Sequence, residues 1–289
     1  MSACVFCGAL ADSKEHVFAK RLFRRAGADR LRMLPGLYNE STGTRTRPSH
    51  FLDTFEVRCF CATCNNGWMN DLEAWFESRL GSLIEPDWPK LAITMIDDLK
   101  REGHQLALWL LKTAITFNQA CMKGTLHVQF PEKIARSVKA GQRPDNCWVD
   151  LAYAKIPTVG AAMDKCFRVI NGGKHYPSQV PPGVDGFRFT VQFNHLLLHL
   201  ARAPFASVTY ESWNGESPVR LYPKPASTPP TSFAYEDIMK FHHAVVLETW
   251  LGCQGNVGRD ENAAQAILFP CPQGANDSFK QKQIDGLNL

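Results

Sequence analysis

Two cysteine pairs, Cys4-Val5-Phe6-Cys7 and Cys61-Ala62-Thr63-Cys64, bracket the segment Ser13-Lys14-Glu15-His16-Val17-Phe18. Asn65 follows the second pair directly. In a CxxC pair the intervening turn brings both sulfurs to one side, where they can share an ion. Zinc accepts four thiolates tetrahedrally at ~2.3 Å and closes a structural site. The expected ligands are Cys4, Cys7, Cys61 and Cys64. Residues 8–60 separate the pairs, a longer interval than in most zinc fingers. Loop-closure cost grows only logarithmically with length, so the interval does not forbid the site. Cys59 is a rival ligand that only turn geometry separates from Cys61. The alternative is a set of buried, unligated cysteines. Five of the ten cysteines fall in residues 4–64. With no sign of secretion, close pairs of this kind favour metal over disulfide.

A histidine beside a carboxylate is suited to hydrolysis. Neutral imidazole can take a proton from water near pH 7. A hard divalent cation can bind a scissile phosphate and its departing oxygen. Such a cation prefers oxygen donors, which a carboxylate and an amide carbonyl provide.

The order CxxCG, then EHV, then CxxCN opening a helix resembles the HNH endonuclease family of ββα-metal nucleases. The stretch CATCNNGWMNDLE (Cys61 to Glu73) is especially similar to a bacterial branch of that family. The resemblance covers residues 4–75 and reaches beyond them at most to WLLKTA (Trp109 to Ala114). It implies a treble-clef-like ββα-metal zinc module. In that module His16 is the general base, and Glu15 and Asn65 hold a catalytic Mg²⁺ or Mn²⁺ ion. The zinc then has no chemical part and only pins the segment around Glu15-His16 to the helix bearing Asn65. Lys20, Arg21, Arg24 and Arg25 become phosphate contacts. The implied activity is hydrolysis of nucleic acid, DNA ahead of RNA. The sequence departs from the family pattern at three places. Glu56 stands where an asparagine usually orients the histidine, and the nearest asparagine upstream is Asn39. Ala19 replaces a proline, and Trp68 replaces a basic residue. The competing reading is a non-catalytic, zinc-stabilised module that binds nucleic acid or another partner.

These groups need elements to hold them. Trp68, Met69, Leu72, Trp75, Phe76, Leu80 and Leu83 recur at helical spacing, with Asn65 or Asn66 as the expected cap and Gly81 at the end. Further helices are expected over 97–121, 131–140 and 235–251. Strands are expected over 147–154, 165–170, 187–193 and 219–222, with Gly172-Gly173 and Pro181-Pro182-Gly183 as turns. RFTVQF (Arg188 to Phe193) alternates as a half-exposed antiparallel strand would. Residues 196–203 fit strand or helix equally. Residues 223–232 read as a linker, and the stretch from Cys271 as loose. The expected fold class is α+β. The nuclease-like module spans 1–84, and a mixed helix and antiparallel-sheet domain of unassigned role spans 85–289.

The chain of 289 residues is 45% hydrophobic, ample for a core. Its formal charge is +4. Residues 1–50 hold nine basic and four acidic side chains, a net +5, so the rest carries a net −1. A basic head on a near-neutral body suits a polyanion. No apolar run approaches a membrane span and no leader is evident, so a cytoplasmic protein without a membrane partner is expected. A homodimer is compatible with the C-terminal part. His195, His199, His242 and His243 lie near no acidic cluster, so packing is expected of them.

Overall fold

The computed structural model describes residues 2–28, 32–39, 43–46, 50–51, 56–85, 99, 101–121, 130, 132–142, 147–164, 166–171, 174–179, 187–202, 219–222 and 264–270. The expected helix over 235–251, the linker over 223–232, the stretch from Cys271, and His242 and His243 lie outside them.

The N-terminal half is built on a short ribbon. Strand β1 (Ser13–His16) leads through Ala19 into helix α1 (Lys20–Arg25). Ala19 takes φ −60°, a value a proline would also adopt. Strands β2 (Arg32–Asn39), β3 (Gly43–Thr46) and β4 (His50–Phe51) follow. Strand β5 (Glu56–Phe60) returns antiparallel to β1, pairing Ser13 with Phe60, Glu15 with Val57 and His16 with Glu56.

The helix after the second cysteine pair begins earlier than its asparagines suggest. It opens as α2 (Ala62–Cys64), passes through a π-turn (Asn65–Met69) kinked at Gly67, and continues as α3 (Asn70–Leu80). The cap is Cys61, whose sulfur accepts from the Cys64 amide, so Asn65 lies inside the helical stretch and its side chain is available elsewhere. Gly81 closes α3, as expected. A Cβ there would lie 2.5 Å from the Arg25 guanidinium and closer still to the Glu77 carbonyl, so only glycine fits.

Helix α4 (Gly103–Cys121) is buried along most of its length, and α5 (Glu132–Lys139) turns Ile134, Ala135 and Val138 inward. Strands β6 (Cys147–Asp164), β7 (Cys166–Asn171), β8 (Lys174–Gln179), β9 (Phe187–Arg202), β10 (Val219–Tyr222) and β11 (Ala264–Pro270) follow. Among the described residues one antiparallel sheet runs β10-β6-β11-β2-β3, with β9 also on β6 and β4 on β2. β7 and β8 form a separate antiparallel pair in which Asn171 faces Lys174, and the expected turns at Gly172-Gly173 and Pro181-Pro182-Gly183 lie outside the described residues.

Two strand expectations need correction. β6 continues to Asp164 because its pairing with β9 only slips, between Tyr153 and Thr158, and then resumes. Pro157, which has no N–H to give to a ladder, lies inside that slip. β9 is also not half-exposed. Phe187, Phe189, Thr190, Val191, Gln192 and Phe193 are all buried, and the ambiguous residues 196–202 continue the same strand. The strand folds back on itself at Asn194, whose φ is +52°. Thr190 and His199 are nine residues apart, yet Thr190 Oγ1 lies 2.8 Å from His199 Nδ1. A straight strand would hold them ~30 Å apart at ~3.3 Å per residue.

One apolar cluster runs through both halves, from Phe6, Phe60 and Phe76 to Trp109, Phe117 and Phe193. Phe76 stacks on Trp109 with centroids 3.6 Å apart. Asn194 Nδ2 crosses between the halves, donating to the carbonyls of Ala26 (3.0 Å) and Ile84 (2.7 Å).

Candidate functional site

The cysteine cluster is assembled by two turns. In the first, the Gly8 amide donates to the Cys4 carbonyl (2.8 Å) and the Cys4 amide to Ala9 (2.6 Å). Gly8 takes φ +76°, a conformation that favours glycine. In the second, Cys61 caps α2, and the Ala62 amide donates to Asp12 Oδ1 at 2.8 Å. The Sγ atoms of Cys4, Cys7, Cys61 and Cys64 all lie within 4.8 Å of one another, with Cys7 and Cys61 3.5 Å apart.

These four sulfurs could hold a metal ion, and their chemistry is that of structural zinc. Tetrahedral ligation at ~2.3 Å sets sulfurs ~3.8 Å apart, close to the spacing present. Cys59 is not in the cluster; it is buried in β5, and its carbonyl accepts from the Val5 amide. Burial alone would raise the Cys61 thiol. Hydrogen bonds from the Cys64 amide and the neighbouring thiols outweigh it and bring Cys61 down to about 7. Cys64 is pushed up to about 12, chiefly by burial, with the Trp68 indole opposing. Trp68 itself packs edge-on against Phe6, with centroids 4.9 Å apart.

Beside the cluster, Asn65 ties the helix to β1. Its Nδ2 donates to Ser13 Oγ (2.7 Å) and to the Lys14 carbonyl (2.9 Å). Its Oδ1 takes part in neither bond. His16 Nε2 lies 3.4 Å from Glu56 Oε1, and Lys14 Nζ lies 3.4 Å from Glu56 Oε2. Glu56 therefore stands directly across from the histidine on the neighbouring strand.

Glu15 goes elsewhere. Its Oε1 accepts from Lys112 Nζ at 3.0 Å, and the same ammonium donates to Glu73 Oε1 at 2.5 Å. Consecutive residues of β1 thus send their side chains to different partners, as alternation along a strand favours. Lys112 is fully buried, and Glu73 is 3% exposed. Burial raises the Glu15 carboxyl above its ordinary range, and the Lys112 charge opposes that shift without cancelling it. Burial disfavours the Lys112 ammonium, but the two carboxylates outweigh this and hold its pKa above the usual lysine value.

If Glu15 and Asn65 were to hold a divalent ion, they would offer it one carboxylate and one amide carbonyl, both of the hard-oxygen kind Mg²⁺ or Mn²⁺ takes. One Glu15 oxygen is already held by Lys112. Of the four basic residues on α1, Arg21 pairs with Glu77 (2.7 Å) and Arg25 with Glu85 (2.9 Å). Lys20 and Arg24 are exposed. Asn39 ends β2 in the large sheet, away from the β1–β5 ribbon in sequence pairing.

Sequence reasoning alone misses Lys112 and Glu73. The available signal is a lone lysine within the apolar run WLLKTA, where a charge must find a buried partner. Among the described residues no helix is long and apolar enough to cross a membrane. No family model, curated protein or solved structure matches the chain.

Proposed function

We propose that the chain is an HNH-like endonuclease, a ββα-metal module of treble-clef type that hydrolyses phosphodiesters, with DNA as the substrate ahead of RNA. The observation that carries this reading is the His16–Glu56 pair. It lies on a ribbon that Asn65 ties to the helix opened by the four-cysteine cluster.

In this reading His16 takes the proton from an attacking water. The water oxygen forms a bond to phosphorus, the bond to the 3′ oxygen breaks, and solvent protonates the departing oxygen. The Glu56 carboxylate orients the imidazole and stabilises the imidazolium that forms, a role open to any carboxylate held against a catalytic histidine. Glu15 and Asn65 would hold a Mg²⁺ or Mn²⁺ ion. When bound, such an ion supplies charge relief at the phosphate and the leaving oxygen. Zinc on Cys4, Cys7, Cys61 and Cys64 would fix the register of the ribbon against the helix. Lys20 and Arg24 are the better placed phosphate contacts, because Arg21 and Arg25 already face carboxylates.

A plasmid-nicking assay with added Mg²⁺, comparing wild type with His16→Ala, tests the reading. Loss of nicking in the variant supports it, and equal nicking by both proteins removes His16 from the mechanism.

One observation favours a second reading, a non-catalytic zinc module that binds nucleic acid. The Glu15 carboxylate is engaged by Lys112 and leaves β1 toward a different partner from His16. That reading predicts salt-sensitive binding without cleavage under any divalent ion.

A further inference from the structure

The Glu15–Lys112–Glu73 array joins three charged side chains around a fully buried ammonium, and the proposed hydrolysis uses neither Lys112 nor Glu73. The three residues come from three elements: β1, α4 and α3. Lys112 is the only charged residue in α4, a 19-residue helix. Its ammonium spans the two carboxylates and contacts no solvent. Glu73 Oε2 is buried and has no hydrogen-bond partner among the described residues, so Lys112 is the anchor of that carboxylate. Glu15 is less enclosed, with its side chain 14% exposed. Lys112 is therefore the most enclosed of the three, Glu73 comes next, and Glu15 lies nearest the rim. Next to Glu15 along the strand, the Lys14 carbonyl is fixed by Asn65.

We propose that Lys112, anchored by Glu73, is a positioning residue that fixes the Glu15 carboxylate at the rim of the ribbon beside the segment Asn65 holds. Helix α4 then supplies a part of the site that residues 1–84 lack. The inference rests on the nuclease reading, in which Glu15 and Asn65 hold the divalent ion. A ligand carboxylate with one oxygen held by a neighbour keeps its orientation, and outer partners of this kind set metal affinity by about 10- to 100-fold. Without Lys112, Glu15 would face an uncompensated, buried Glu73 and would turn away from it.

The test uses the full-length, zinc-loaded chain. Lys112→Met is compared with Lys112→Met/Glu73→Leu, which removes the carboxylate that the single change leaves unpaired. Mn²⁺ alone is titrated and followed by electron paramagnetic resonance. Nicking is resolved into kcat and KM for plasmid, and zinc per chain and the melting curve report the fold. The expected result is Mn²⁺ affinity and kcat each down by about 10-fold or more. Plasmid KM should stay within about 2-fold, and the double variant should keep one zinc per chain. A folded double variant that binds Mn²⁺ as well as wild type, or more tightly, overturns the proposal while leaving the nuclease reading in place. A wild-type chain that neither binds Mn²⁺ nor nicks DNA overturns both.

Discussion

His16 and Glu56 are direct cross-strand partners, and the imidazole Nε2 stands 3.4 Å from the Glu56 carboxylate. An amide at this place could hold the ring but could not balance the charge of an imidazolium. A carboxylate can do both, so Glu56 bears on the electrostatics of the pair as well as its geometry. Glu56→Gln keeps the shape and removes the charge. Under the nuclease reading it should lower kcat by at least about 10-fold, with an upper bound near the ~10⁴-fold that a carboxylate supporting a histidine base can supply. KM for plasmid should barely move. Steady-state nicking rates check this.

The cysteine cluster predicts its own stoichiometry. Elemental analysis should find one zinc per chain. Cys64→Ser should lose the metal and lower the melting temperature, because metal affinity in such a site is folding free energy. Cys59→Ser should keep the zinc, since Cys59 lies outside the four-sulfur set.

The buried triad predicts an asymmetric mutational cost. Lys112→Met leaves Glu73 buried without a counter-charge and should cost about 3–5 kcal/mol. Adding Glu73→Leu should restore much of that, because replacing buried ion pairs by apolar residues is often close to neutral. Urea unfolding of the three proteins measures both steps.

Asn194 joins the two halves of the core. Asn194→Ala leaves the Ala26 and Ile84 carbonyls without their donor and puts alanine at φ +52°. Two missing hydrogen bonds at about 1 kcal/mol each, with ~1 kcal/mol for the left-handed backbone, predict a loss of about 3 kcal/mol. Chemical denaturation tests it.

Among the described residues, Arg21 and Arg25 of helix α1 pair with carboxylates, whereas Lys20 and Arg24 are exposed. Lys20→Ala/Arg24→Ala should weaken DNA binding and reduce the slope of log affinity against log salt by up to about 1.8, or about 0.9 for each phosphate no longer neutralised. Arg21→Ala, which breaks a half-buried pair with Glu77, should lower stability by about 1 kcal/mol and leave the salt slope unchanged. Binding isotherms at several salt concentrations separate the two.

Legibility in the sequence followed the range of the forces involved. The cysteine pairs could be read because CxxC is a local turn motif, and the four sulfurs do come together. Val219–Tyr222 was legible to the residue, because a short apolar alternation has few other solutions. Residue preference speaks for Asn65 or Asn66 as the cap, whereas the cluster geometry brings the Cys61 sulfur to the helix start. The second half of β6 is not legible locally, because only pairing with β9 carries the strand past Pro157 and Gly160. Lys112 and Glu73 were invisible as partners. They stand 39 residues apart, and nothing local links them. The turn of Glu15 toward Lys112 was missed for the same reason.

The most direct test of the account is single-turnover nicking of supercoiled plasmid by zinc-loaded protein with Mg²⁺, comparing wild type and His16→Ala. The nuclease account predicts cleavage by wild type and a rate lower by about 10²- to 10⁴-fold in the variant, with zinc content equal in both. Equal rates in the two proteins, or no cleavage by wild type with either Mg²⁺ or Mn²⁺, would contradict it.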